Sequence, residues 1–545
     1  MTLILDRRLL LQAGTFGIGA LALPGAAFAF RSATGFTHGV ASGEPAQGSV
    51  LLWTRYVGSG DTRLTAEVSD PATGKVVGGG SATASGERDS IAKLGVGGLQ
   101  PGRWYYYRFI APDGSASPQG RTRTLPDGET QKFRMGVFSC SNLPFGWFNA
   151  YAAAAARDDF DLVMHLGDYF YEYQIGDYPS LEEALPGRVI RPDHEILTLT
   201  DYRLRYASYR ADPDLQRLHQ LWPMIAQWDD HEIANDSWEH GAQNHQPNEG
   251  DYETRKRIAR RVYREWMPVS DLPETQDQWK SYRVGDLATI LLTESRLHAR
   301  DQQLDLGAAL KGQGDIDAAL AAFRDQTWRD PARTMLGADQ ERWFADELKR
   351  SVGAGQKWQV WAQQTVMGNL KLPPQALQWI PEGAPDYAKQ RAAVGAMASK
   401  AGLPLNFDSW DGYPAARDRA LKAAQAADAD LVVLSGDSHN GWAFDLLADG
   451  KPAGVEFAGH SVTSPGFESF FSGVGPDKVA AALREINPTL KWVDLGNRGY
   501  MTVELTPERA TSTWQFVGDI RQRSATLASE HSEAVLRGDR VLSKG

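Results

Sequence analysis

The stretch Leu162 to Tyr171, LVMHLGDYFY, restricts the folds open to this chain more than any other. It is an apolar run of strand length that stops at Gly167-Asp168, the pattern of a buried strand closed by a tight turn. Open α/β sheets place their ligands outside the carboxyl ends of such strands, so Asp168 is aimed into a site. Tyr171, three residues on, is close enough to curl back toward the same point. Three further strand-like runs finish in the same way: VFSC at Cys140, MIAQWDDHE at Asp229, Asp230 and His231, and LVVLSGDSHN at Asp437 and His439.

The rest of the chain is organised around those runs. From Phe30 to about Pro126 short alternating stretches (SVLLWTRY, RLTAEVSD, WYYYRFIA) are separated by turn clusters, which predicts a small β-sandwich of immunoglobulin type. After the LPDGETQ linker, KFRMGVFSC, the alanine-rich FNAYAAAAARD and FDLVMHLGD read as a β-α-β unit. WPMIAQWDDHE is a third strand, and TRKRIARRVYREW a basic helix whose charge reads as a solvated face. SYRVGDLATILLTESR reads as a hairpin and GAALKGQGDIDAALAAFRDQ as a helical surface insertion. The chain from Asp519 onward has a helical pattern. The fold class is therefore mixed α/β: a signal segment over 1–29, a sandwich over 30–126, a catalytic domain over 131–518 and a helical tail over 519–545.

Bulk properties exclude some functions. A net charge of -11 argues against a nucleic-acid-binding surface, where a basic face is expected. The 17 tryptophans read mostly as core and packing residues; a sugar platform is the alternative, and with the β-sandwich it would make this a carbohydrate-binding surface protein. At the N-terminus Arg7-Arg8 precede the apolar run Leu9 to Leu23, and Ala27-Phe28-Ala29 offers a small-x-small cleavage pattern. That is a secretory signal peptide cut before Phe30 rather than a membrane span. DRRLLLQ resembles a twin-arginine signal, so the partner expected in transit is the twin-arginine export machinery, with a periplasmic or secreted product. An ordinary signal peptide with two adjacent arginines is the alternative. No later run is apolar enough for stable membrane insertion. The chain's 1 cysteine, Cys140, excludes an internal disulfide, so the thiol is either a plain core residue or a ligand.

The residue types at the strand ends fit metal chemistry. Carboxylate-rich sites suit hard cations, whereas a thiolate with a phenolate suits iron. Cys140, Asp168, Tyr171 and His439 together with Asp230 and Asp437 therefore suggest two classes of metal, with Asp168 as the bridging carboxylate beside the small Gly167. Two ions roughly 3.5–4 Å apart can clamp a phosphate and activate water. His231, beside them, is a candidate acid for the leaving alkoxide. Taken singly each residue has a plainer reading: a turn aspartate, a core tyrosine, a helix cap over Asp229 to His231. Ser438 lies between Asp437 and His439 and imitates a nucleophile beside its base, but neighbours on a strand face opposite ways.

The set GDYFY, WDDHE and GDSHN resembles the calcineurin-like metallophosphoesterases, and more closely the PhoD-like alkaline phosphatases. FSCSN, MLGADQERWF, WDGYPAAR, EFAGHSVTSPG and the N-terminal FTHGVASGEPAQGSVLLWTR look like that family too, so the resemblance covers nearly the whole mature chain. It implies a four-layer αββα domain behind the β-sandwich, and a secreted enzyme that hydrolyses small-molecule phosphate esters with Fe3+ and Ca2+. By motif position Cys140, Asp168, Tyr171 and His439 would hold iron. Asp168, Asp230, Asn235 and Asp437 would hold calcium, with Asp229 as a further member; Asn235 enters only through the resemblance. A C-terminal helix covers the site in such proteins, and the tail after Asp519 could do so here. Arg417, in WDGYPAAR, is a candidate two-point contact to phosphate, with a structural salt bridge as its alternative. Glu294 stands where many relatives carry an aspartate, which leaves the role of Arg296 open. A phosphotriesterase or phospholipase-like diesterase would use the same cluster.

Overall fold

Alternation in the first hundred residues does produce a sandwich, though its boundary is not where the sequence pattern changes. The structure is a computed structural model that describes residues 34–271, 279–381, 386–469, 471 and 473–543; the signal segment at 1–29 lies outside them. Strands β1 (Gly35–Gly43), β2 (Val50–Val57) and β5 (Ile91–Val96) form one layer. The other layer is β3 (Thr62–Ser69), β4 (Val76–Ala84), β6 (Trp104–Ile110) and β7 (Gly120–Arg123), in the order β4-β3-β6-β7. Leu52, Leu64, Val68, Tyr107 and Phe109 fill the space between them. β1, however, pairs in parallel with β10 (Pro223–Ala226), so the first layer continues into the catalytic sheet.

That sheet has nine strands in the order β20-β19-β18-β8-β9-β10-β1-β2-β5. Its centre is the parallel set β8 (Phe133–Phe138), β9 (Leu162–His165) and β10. A second, seven-stranded sheet runs β11-β12-β13-β14-β16-β15-β17. It contains the hairpin β11 (Lys280–Val284) and β12 (Ala288–Leu292), then β13 (Trp358–Ala362) and β14 (Leu431–Ser435). β15 (Gly441–Ala448), β16 (Lys451–Ala458) and β17 (Leu490–Asp494) complete it, with β12, β13, β14 and β16 parallel. The chain then returns to the first sheet as β18 (Arg498–Leu505) and β19 (Arg509–Val517).

The apolar runs of the sequence arise because the central strands are buried on both faces. Successive side chains point to opposite sides of a strand. Leu162 and Met164 of β9 therefore meet Val432 and Leu434 of β14 in the core between the sheets, while Val163 faces outward into a helical layer. That layer holds α1 (Asn149–Ala156), α2 (Leu199–Arg210), α3 (Pro213–Leu221) and α4 (Tyr252–Trp266). The short helices α5 (Leu306–Leu310) and α6 (Ile316–Ala322) form the insertion. On the far face of the second sheet lie α7 (Gly337–Gly353), α9 (Pro414–Ala426) and α10 (Pro476–Ile486), with α8 (Asp386–Lys400) to one side. The four layers are αββα, as expected.

Two expectations fail. α4 is not merely a solvated basic face, since Arg255, Lys256 and Arg264 are buried, and Arg255 donates to Tyr202 Oη and Glu195 Oε1. The tail is not helical: Leu527–Leu536 is strand β20, which pairs with the whole of β19 from Arg509↔Leu536 to Val517↔Leu527. An unpaired β19 edge would leave a row of backbone groups open, and the tail satisfies them. His531 stacks on Trp492 with ring centroids 4.3 Å apart, and Val535 is buried. β20 lies at the sheet edge, four places from β9 in the strand order, while the segment before it meets the loops after β8 and β9 through Trp147 N to Ile520 O and Arg521 Nη1 to Glu183 O. Deleting residues 519–543 is therefore expected to lower stability by at least about 2 kcal/mol through the lost apolar burial alone, read as the urea midpoint. Unchanged stability with raised turnover would return the tail to the role of a cover.

Candidate metal centre

The four strand ends named from sequence come together because the parallel strands of both sheets stop at one place. Backbone hydrogen bonds knit the loops that follow. Within the first sheet, Cys140 N donates to Gly167 O at 3.2 Å and Ser141 N to Asp168 O at 2.9 Å. Between the sheets, Val462 N donates to Ser139 O at 3.0 Å, and within the second sheet Ser461 N donates to His439 O at 3.2 Å. Gly436 N reaches Gln364 O, and Gln364 Nε2 in turn donates to the Trp228 carbonyl, which ties β10, β13 and β14 at their ends.

Closing the loops this tightly costs backbone strain. Cys140, Asp168, Asp437 and His439 all sit at positive φ, between 53° and 64°. Non-glycine residues rarely adopt that region, and it concentrates where surrounding structure dictates the aim of a side chain. Gly167, at φ 117°, could carry no side chain: a Cβ there would lie 2.4 Å from Asp229 Cβ.

Three overlapping groups of donor atoms result, each with its atoms within 4.8 Å of one another: Cys140, Asp168 and His439; Asp168, Asp230 and His231; and Asp229, Asp230 and Asp437. Asp168 belongs to two of them and Asp230 to two. Tyr171 Oη donates to Asp168 Oδ2 at 3.2 Å and lies 3.1 Å from His439 Nε2, which puts the phenol in the first group. His439 Nδ1 is 2.7 Å from the Pro465 carbonyl, which can only accept, so Nδ1 carries the hydrogen and Nε2 presents its lone pair.

The residues meet the demands of bound cations. Asp168 Oδ1 and Asp229 Oδ2 are buried without a hydrogen-bond partner, a costly state for a carboxylate that nothing coordinates. Burial and the neighbouring Asp168 charge push the Cys140 thiol well above its ordinary range. Burial likewise raises Asp168 and Asp437, each also raised by Asp229, and takes Asp229 to about 6. The site thus holds more negative groups than its own cations balance, and deprotonating its thiol and carboxyls calls for added positive charge.

One protein cation is built into it. Arg296 is fully buried, and its guanidinium meets Asp229 Oδ1, Asp408 Oδ2 at 2.8 Å and Asp437 Oδ1 at 3.2 Å, with Asp230 Oδ1 at 3.8 Å. Burial raises Asp230, but Arg296 and His231 outweigh it and hold that carboxyl well below the usual range. Glu294, the departure seen in sequence, accepts from the main-chain nitrogens of Arg296, Leu297 and His298 and from Trp228 Nε1, so it shapes the turn that delivers Arg296.

Several contributors escaped sequence reasoning. Glu172 accepts from His231 Nδ1 at 2.7 Å, Asn235 N at 2.7 Å and Asn244 Nδ2 at 2.8 Å. Burial works against a charged His231, but Asp230 and Glu172 together lift its pKa well above the ordinary imidazole value. Glu232 accepts from Asp168 N, Tyr169 N and Asp229 N and so clamps two ligand loops. Glu172 and Glu232 directly follow the GDYFY and WDDH runs, a signal that was legible. Ser464 lies within EFAGHSVTSPG, so it too was legible, whereas Asp408 carried no signal because only the fold brings it near.

Other predicted residues land differently. Asn235 is held by its backbone to Glu172, and its side-chain Nδ2 donates to Gln243 Oε1 at 3.0 Å. Arg417 is absent from the three donor groups: its Nε donates to the Met367 carbonyl at 2.6 Å and it feels the charges of Asp411 and Glu456, so the contact seen is to backbone, neither the expected phosphate grip nor a salt bridge. Ser438 Oγ accepts from Trp442 Nε1 at 2.8 Å, and both ring nitrogens of His439 are engaged elsewhere, which removes the nucleophile reading. The carbohydrate platform has no support either, since no tryptophan is exposed and eight are among the largest fully buried side chains.

Comparison with known proteins agrees with this geometry. The family model described as PhoD-like phosphatase matches residues 135–514, and that of the PhoD-like phosphatase N-terminal domain matches residues 24–126. Alkaline phosphatase D of Bacillus subtilis (strain 168) is 31% identical over 523 residues, which is 91% of this chain and 80% of that protein. The solved structure of PhoD superposes with a TM-score of 0.76 at 28% identity, covering 94% of this chain and 92% of the other.

Proposed function

The chain belongs to the PhoD-like phosphatase family, and on that premise we propose that it hydrolyses small phosphate esters with iron and calcium, and does so after export from the cytoplasm. Membership makes it a phosphoric ester hydrolase of the alkaline phosphatase and phosphodiesterase type. The observation that carries the metal assignment is the meeting of Cys140, Asp168 and His439 within 4.8 Å, with the Tyr171 phenol against two of them. A sulfur, a phenol and an imidazole lone pair are donors for iron rather than calcium. The all-carboxylate group of Asp229, Asp230 and Asp437 suits calcium, with Asn235 adjoining and Asp168 shared.

Bound there, the cations supply charge neutralisation for the phosphoryl oxygens and acidify a water. The protein's own groups supply the rest. Arg296 holds Asp229 and Asp437 in place and leaves Asp229 Oδ2 free for a ligand. Glu172 occupies His231 Nδ1 and favours the imidazolium, so Nε2 retains a proton to donate to the leaving alkoxide. The Tyr171 and His231 rings lie 4.2 Å apart between centroids, which fixes the imidazole plane.

Three outcomes are expected. Purified holoenzyme should absorb visible light and contain iron by element analysis, while Cys140→Ser should lose the colour and most turnover of an aryl phosphate. A colourless, iron-free but fully active protein defeats the iron assignment.

His231→Asn should cost about 10²–10⁴-fold on alkyl esters and much less on esters with acidic leaving groups, which need no proton. Glu172→Gln removes a charge that raises His231, so the proton is lost at lower pH and the alkaline limb of the rate profile moves down. An unmoved limb, or equal losses on both ester classes, sinks the acid role.

Export through the twin-arginine route rests on Arg7-Arg8, the apolar run behind them and the Ala27-Phe28-Ala29 pattern. Arg7→Lys with Arg8→Lys should strand the precursor in the cytoplasm. Undisturbed export of the native chain in a strain lacking the twin-arginine machinery would refute it.

A further inference from the structure

Beside the metal centre the second sheet carries a cavity of about 160 Å³ that the chemistry described so far does not use. Its wall includes Leu370, Leu372, Leu405, Trp442, Phe467 and Phe471, and Asp437 and Ser438 of the ligand loop also border it. Asn406, Ser409 and Asp411 also border it, and most polar groups of these walls are engaged with neighbours: Ser409 Oγ donates to the Asn406 carbonyl and Asn406 Oδ1 accepts from Asp408 N. Trp442 Nε1 donates to Ser438 Oγ, Leu370 N to Asp411 Oδ2, Leu405 N to Leu370 O and Phe467 N to Asn440 Oδ1. The aromatic rings brace each other edge to face, Trp442 against Phe467 with centroids 5.5 Å apart. A preformed hydrocarbon surface therefore begins at the loop that carries two of the ligands.

We propose that this cavity is the subsite for the organic group of the ester, and that it selects a single aromatic ring or a compact branched alkyl group over polyol and sugar phosphates. The assignment rests on the hydrolase reading above and adds the substrate class to it. An apolar cavity of about 150 Å³ is enough to hold benzene and stays dry when empty. The ester oxygen joins the organic group directly to phosphorus, so a phosphoryl group neutralised by cations that Asp437 and its neighbours would hold brings the first carbons to the side of the loop that borders the cavity. A hydroxylated group would lose its water there and find most of the nearby polar atoms already paired, the condition under which apolar pockets discriminate.

Benzyl phosphate and glycerol phosphate test this, because both release an alkoxide and differ mainly in what the cavity must accept. The native holoenzyme should favour benzyl phosphate in kcat/KM by at least about tenfold. Filling the cavity with Leu405→Trp should collapse that ratio toward one. Opening it with Leu405→Ala should instead improve naphthylmethyl phosphate relative to benzyl phosphate, and decides the matter if the tryptophan variant does not fold. A selectivity ratio that neither substitution moves, in folded protein that hydrolyses both esters, overturns the subsite. If the native enzyme hydrolyses neither monoester, the same comparison is made with their methyl diesters, and inactivity on all four esters ends the hydrolase reading and the subsite with it.

Discussion

Crowded negative charge out of contact with water is the constraint around which this protein is built. Asp168, Asp229, Asp230, Glu172 and Glu232 are all essentially buried within a few residues of one another in space, and Asp408 and Asp437 close the group. Charges in such a place are affordable only when paired. Arg296 faces four of the aspartates, Arg300 adds a second guanidinium at Asp408, and His231 lies between Glu172 and Asp230. The remaining imbalance is what the donor groups are arranged to correct with cations. Arg296 thus organises the all-carboxylate donors while the thiol, phenol and imidazole gather around Asp168.

The αββα layering follows from the need to present those groups from several strands at once. Two sheets stacked with their parallel strands ending together bring β8, β9, β10 and β14 to one edge, and β12 and β13 supply Arg296 and Gln364 there. A rigid, doubly buried core beneath the loops is what allows four ligand residues to be held at positive φ. The N-terminal sandwich shares this scaffold rather than standing apart, through the β1–β10 pairing and the bond from Trp53 Nε1 to the Glu265 carbonyl. The tail serves the same scaffold from the other end by closing the β19 edge.

The second sheet contributes asymmetry. On one side of the ligands lie the aromatic and charged groups around Tyr171 and His231, and on the other an apolar cavity bordered by Asp437. The clustered donor atoms and the apolar cavity are therefore carried by different elements. The loop 436–440 joins them, because it carries Asp437 and His439 of the donor groups and Ser438 as the anchor of the Trp442 wall.

Local sequence determined the strands, their apolar faces and the ligand types at their ends. An apolar run closed by Gly-Asp has few conformations open to it, and a buried aspartate has few uses. LVMHLGDYFY, WPMIAQWDDHE and LVVLSGDSHN therefore disclosed the β-α-β core and most of the residues that the fold gathers into the three donor groups. Tertiary structure decided what depends on distance along the chain. It placed Arg417 on a backbone carbonyl, gave Arg296 its four carboxylates, brought Asp408 and Ser464 to the cluster, and turned a helix-patterned tail into the strand that an open β19 edge required. The reason is physical: side-chain periodicity reports which face of an element meets the core, whereas charge pairing and edge closure depend on which element arrives opposite.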